Sequence, residues 1–126
     1  MRYEPLFERF EATAPGGARI SSKFLRAGFL TVGDRPELYF FRVTPLGSEP
    51  QDLVPNGPED VAVGLSGDAL KRFGNGRRSL SREEKIDLAG LMLKKNIEAG
   101  RCLDSNNLLI RDLELASLAG ELGILG

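Results

Sequence analysis

The sequence predicts an α+β fold: a small antiparallel sheet built around a hairpin at about 29–44, with two or three C-terminal helices. Two distributions carry this expectation. All seven prolines lie in the first 58 of the 126 residues, and all nine aromatics, from Tyr3 to Phe73, lie in the first 73. Beyond Phe73 the apolar residues are Leu, Ile, Ala and Met, which suit helices, whereas aromatic and β-branched side chains suit a pleated surface. A third observation is a helix-start signature, Ser81 followed by Glu84, ahead of apolar residues at helical spacing. At 126 residues the chain is expected to be one domain over 1–126, with a strand-bearing half at about 1–60 and a helical half at about 61–126.

Taken in order, Glu4-Pro5 followed by Leu6, Phe7 and Phe10 on one helical face predicts a short N-terminal helix, ended by Pro15-Gly16-Gly17. From Arg19 to Leu30 the alternation of Ile20, Ser22, Phe24 and Arg26 is only rough, and a helical turn before Gly28 fits as well. Phe29–Val32 and Glu37–Thr44 read as strands around the turn residues Gly33-Asp34-Arg35-Pro36. In the second of these, Tyr39, Phe41 and Val43 share one face, while Leu38, Phe40 and Arg42 share the other. Both faces are then largely apolar, so both are expected to be covered, with Tyr39-Phe40-Phe41 in the core. The prolines between 45 and 58 predict a long loop or linker. Ser66, with Asp68 in the first turn, caps a short helix through Phe73. Ile86, Ala89, Leu93 and Ile97 define the next helix, with Gly100 at its C-terminal stop. A last helix spans about Leu108 to Leu122, ended by Gly123.

Composition removes several classes of chemistry. The absence of histidine excludes His-based triads, imidazole ligands and proton shuttles, and the lone Cys102 excludes an internal disulfide or a cysteine zinc site. Arg101 beside Cys102 is the one feature favouring a reactive thiolate, but with no histidine to act as base and no second cysteine, a small residue at a helix junction is the expected reading. Acidic neighbours Glu59-Asp60 and Glu83-Glu84 do not share a helical face, so no metal site, cofactor or catalytic pair is singled out. No run approaches the ~18 apolar residues of a membrane span, and the acidic start does not resemble a signal peptide, so a cytoplasmic location without membrane contact is expected.

Charge is locally uneven. Between 71 and 95, eight cations face three carboxylates, a local excess of +5. Lys71, Arg72, Arg77, Arg78 and Arg82, with the glycines and serines among them, are a candidate anion or nucleic-acid backbone site. The bland alternative is a solvated loop whose arginines pair with nearby carboxylates.

Leu118-Ala119-Gly120-Glu121-Leu122-Gly123-Ile124 resembles the first helix and turn of a helix-turn-helix DNA reader, whose reading helix would lie beyond Gly126. Over about sixty residues, Leu65-Ser66-x-x-Ala69, the Arg82–Ile86 helix start, Ile97-Glu98-Ala99-Gly100 and the following Leu-rich helix resemble the C-terminal segment of flagellar anti-sigma factors. That resemblance implies binding to a sigma subunit through short helices, although the aromatic, Pro-rich first half has no counterpart in that family. The expected function is therefore a non-catalytic protein-interaction or regulatory module, acting on a protein partner or on a second copy of itself. Leu88, Leu91, Met92, Leu115, Leu118 and Leu122 are its candidate interface. The alternative is nucleic-acid or phosphate-ligand binding through 71–82.

Overall fold

A computed structural model describes residues 6–29, 36–46, 59–73, 80–101, 103 and 107–124. The elements are β1 (Arg9–Thr13), β2 (Arg19–Phe29), β3 (Glu37–Pro45), β4 (Glu59–Leu65), α1 (Gly67–Arg72), α2 (Arg82–Glu98), β5 (Leu109–Ile110) and α3 (Asp112–Leu122). The five strands form one curled sheet in the order β1-β2-β3-β4-β5. Strands β1 to β4 pair antiparallel, and β5 runs parallel to β4. The architecture is α+β, but the sheet is mixed rather than antiparallel. The topology permits this: the chain leaves β4 through α1 and α2 before returning, and a crossover of that length is what a parallel neighbour requires.

Two expectations about the first half change. The N-terminal helix is instead a strand, because Phe10 and Ala12 alternate inward while Gly16 and Gly17, at φ +92° and +94°, fold the chain into a hairpin. In that hairpin Ala14 N–H donates to the Ala18 carbonyl at 2.7 Å. The central hairpin is present, with β3 close to its expected bounds, but its first arm is Arg19–Phe29. Residues 30–35 lie outside the described residues. The rough alternation in β2 has a cause. Register jumps from Phe24↔Phe41 to Arg26↔Phe40, so Leu25 is an extra residue and the inward phase moves from Phe24 to Ala27. The proline-rich stretch gives way at Glu59 to β4, whose inward residues Val61, Val63 and Leu65 are buried. Residues 47–58 lie outside the described residues.

The second half follows the sequence closely. Ser66 Oγ accepts from Ala69 N–H at 3.3 Å, capping α1. At α2, Ser81 Oγ accepts from Glu84 N–H at 3.1 Å, and Ser81 N–H donates to Glu84 Oε1 at 2.9 Å. Gly123, at φ +72°, ends α3 as expected, but α3 starts at Asp112 because Leu109 and Ile110 join the sheet edge.

One hydrophobic cluster joins both halves. Ile20, Phe24, Tyr39, Phe41, Val43, Val61 and Val63 on one sheet face meet Ile86, Leu93 and Ile97 of α2. Helix α2 is buried on more than one side, since it packs on the sheet, on α3 and on the N-terminal segment. Asp87, fully buried, ties that segment down: its Oδ1 accepts from Leu6 N–H at 2.7 Å and from Phe7 N–H at 2.8 Å. Gly90 makes this approach possible, because a Cβ there would lie 2.5 Å from Phe7 Cβ and 2.7 Å from its carbonyl oxygen.

Candidate functional site

Two described members of the basic cluster of 71–82 have partners within the chain. Arg72 makes a two-point hydrogen bond to Asp112, Nε to Oδ1 at 3.0 Å and Nη2 to Oδ2 at 2.6 Å, joining α1 to the start of α3. That contact raises the Arg72 pKa and holds the Asp112 carboxyl below its ordinary value. Arg82 lies over the Phe24 ring, 5.4 Å from its centroid. Lys71 is exposed on α1, and Arg77 and Arg78 lie outside the described residues.

The apolar helix faces are largely used by the chain itself. Leu88, Leu91, Leu115 and Leu118 are buried in the shared core, and Met92 and Leu122 are half-buried. The five-stranded sheet is wider than a lone hairpin, so it covers apolar surface that a smaller sheet would have left open. What remains is a notch of about 310 Å³ lined by Met92, Lys95, Leu113, Glu114, Ser117 and Leu118, where Leu113 stays 86% exposed. It adjoins a cleft of about 400 Å³ that includes Asn96, Arg101 and Leu109. Asn96 Nδ2 donates to the Met92 carbonyl at 2.8 Å, while its buried Oδ1 has no hydrogen-bond partner among the described residues.

The most organised arrangement of charge lies elsewhere, on the sheet face turned away from α2. Register places Arg9 opposite Lys23, Lys23 opposite Arg42, and Arg42 opposite Asp60. Cross-strand partners point to the same face, with strands about 4.8 Å apart. One transverse row therefore carries three adjacent cations and ends in one carboxylate. Only the far end is neutralised: Arg42 Nε donates to Asp60 Oδ1 at 2.9 Å. This hydrogen bond holds the Asp60 carboxyl below its ordinary value, and the charge of Arg26 adds to the effect. Arg9 and Lys23 face each other with no carboxylate partner among the described residues. Another cation of this face, Arg19, pairs with Glu11 at 2.7 Å.

Next along the strands comes the row Arg26–Phe40–Ala62, and then Gly28–Leu38–Gly64–Leu109. The Arg26 guanidinium lies 4.5 Å from the Phe40 ring centroid. The ring also leans over Gly28, where a Cβ would be 3.1 Å from a ring carbon. This face was expected to be covered like its opposite. Instead Arg9, Lys23, Arg26 and Arg42 are exposed, and Leu38 and Phe40 are half-buried.

Sequence reasoning missed these cations because they are scattered over 34 positions and become neighbours only through strand register. The alternation Arg19, Ser21, Lys23 was the available signal, and the bulge at Leu25 interrupted it. No family model, curated protein or solved structure matches the chain. Among the described residues no helix is long and apolar enough to cross a membrane, and no three acidic or cysteine residues are grouped to hold a metal ion.

Proposed function

We propose that the chain is a non-catalytic binding module that holds a polyanionic ligand against the open face of its sheet. One observation carries this reading: the in-register row Arg9–Lys23–Arg42, whose first two members have no compensating carboxylate among the described residues. Like charges placed directly opposite each other on a sheet are unfavourable, so the row has an electrostatic cost in the free protein. A chain of phosphates would reverse the sign of that cost and release its own counterions on binding. The test is binding of a fluorescein-labelled oligonucleotide across a salt series, with the Arg9→Ser, Lys23→Ser double variant alongside. Affinity should fall steeply with salt, and the double variant should bind weakly with a salt slope lower by about two. Equal binding by the double variant overturns the reading.

A protein contact through the helices is a second reading, supported by Leu113, which stands 86% exposed beside the α2–α3 notch. If that surface mediates self-association, light scattering should show an oligomer that Leu113→Lys dissolves. A monomer at high concentration with no change on substitution counts against self-association.

A further inference from the structure

Resting on the polyanion reading, we infer that the ligand is single-stranded nucleic acid, its phosphates along the cation row and a base stacked at Arg26–Phe40. The argument begins with the order of the rows. From Arg42 to Phe40 is two residues along β3, about 6.6 Å, so the aromatic row runs parallel to the cationic one a short step away. A nucleotide has the same layout, with charge at its phosphate and a flat apolar base at the other end of the sugar.

The composition of the second row fits a base rather than another charged group. Phe40 rests over the bare backbone of Gly28, and Arg26 lies against the ring at 4.5 Å. An aromatic ring and a guanidinium plane are the two side-chain surfaces on which bases stack. The neighbour directly opposite on β4 is Ala62, so no bulky side chain faces the ring from that position, while the Leu109, Pro36 and Leu38 side chains lie over Gly64 in the next row. Duplex DNA and an anionic membrane both engage cations, but neither presents an unstacked base to Phe40. A single strand uses both rows.

The experiment is fluorescence anisotropy with four probes: a labelled oligothymidylate of about 12 nucleotides, an abasic strand of equal charge, a duplex, and phosphatidylserine vesicles. The full chain is used, as wild type, Phe40→Leu and Arg26→Gln. The wild type should bind the oligothymidylate about tenfold or more tighter than the abasic strand, since one stacked base is enough for that difference. Phe40→Leu should remove most of that preference while leaving the salt slope and the abasic affinity unchanged. Arg26→Gln should weaken oligothymidylate binding more than abasic binding. It is an exposed position, so this arm remains informative if Phe40→Leu perturbs folding, which circular dichroism reports. Equal affinity for the oligothymidylate and the abasic strand overturns the stacking inference and leaves the polyanion reading standing, as does tighter binding to duplex or vesicles. No binding to any of the four probes removes both.

Discussion

The two faces of the sheet are made by the same strands, yet they solve opposite problems. On β3, Tyr39, Phe41 and Val43 turn toward α2 and are buried, while Phe40 and Arg42 turn the other way. On the closed face, polar groups are paired with few exceptions. Tyr39 Oη donates to Glu37 Oε1 at 2.9 Å, and Lys85 Nζ reaches the same oxygen at 3.1 Å. Burial first, and the Glu37 contact second, push the Tyr39 hydroxyl well above its ordinary pKa, so it stays a neutral donor. On the open face, Arg9 and Lys23 are set against each other without such compensation among the described residues. One face is arranged for stability, and the other carries a repulsion that stability alone does not explain. Substitutions that treat the two faces alike should therefore have unlike consequences.

The largest contrast lies between adjacent aromatics. Phe41→Ala opens a cavity at the centre of the core and should cost about 3–5 kcal/mol in denaturant unfolding. Phe40→Ala removes a half-buried ring from the open face and should cost roughly 1 kcal/mol. Comparable losses would mean that the open face is covered as the closed one is.

Asp87→Ala sharpens the comparison from the closed side. It leaves the Leu6 and Phe7 amides without their acceptor beside a buried helix, a loss of about 2–4 kcal/mol. Hydrogen exchange at these two amides should accelerate well before the sheet opens. If they remain protected, Asp87 is not what ties the N-terminal segment down.

Lys23→Glu addresses the open face directly, and its two effects should run in opposite directions. A carboxylate between Arg9 and Arg42 turns two repulsions into attractions, which should stabilise the fold by about 0.5 kcal/mol and raise Tm by about one to three degrees. The same change should abolish oligonucleotide binding. A variant that is both less stable and still able to bind would show that the row has neither the cost nor the role assigned to it.

The contrast between the faces also explains what could be read from the sequence. The C-terminal half was legible because its signals are local: Ser66 and Ser81 cap within three residues, and Gly123 stops a helix at the next position. The first half depends on longer-range geometry. Leu25 is one inserted residue that reverses the face of everything after it in β2, and β5 is two residues long and exists only because β4 lies beside it. The candidate site is the extreme case. Nothing local links Arg9, Lys23 and Arg42, while the conspicuous run at 71–82 places Arg72 on Asp112 and Arg82 on Phe24 among its described members.

The smallest expected effect concerns Asp60, the one carboxylate in the row. Because hydrogen bonding to Arg42 lowers its pKa in the folded protein, the contact stabilises the fold above the ordinary aspartate pKa of about 3.9. That contribution disappears as pH falls through the lowered folded value, which carboxyl NMR should place below that of an unpaired aspartate. Arg42→Gln should remove this lowering, because desolvation, the larger of the remaining causes, raises the midpoint against the smaller pull of Arg26. Acidification through the same range makes the row one charge more positive. Polyanion affinity should therefore rise slightly as Asp60 protonates, provided the phosphates themselves remain charged. In Asp60→Asn, whose row already lacks the carboxylate, binding should start higher and lose this pH dependence. A wild-type affinity that falls as Asp60 titrates would place the ligand somewhere other than this row.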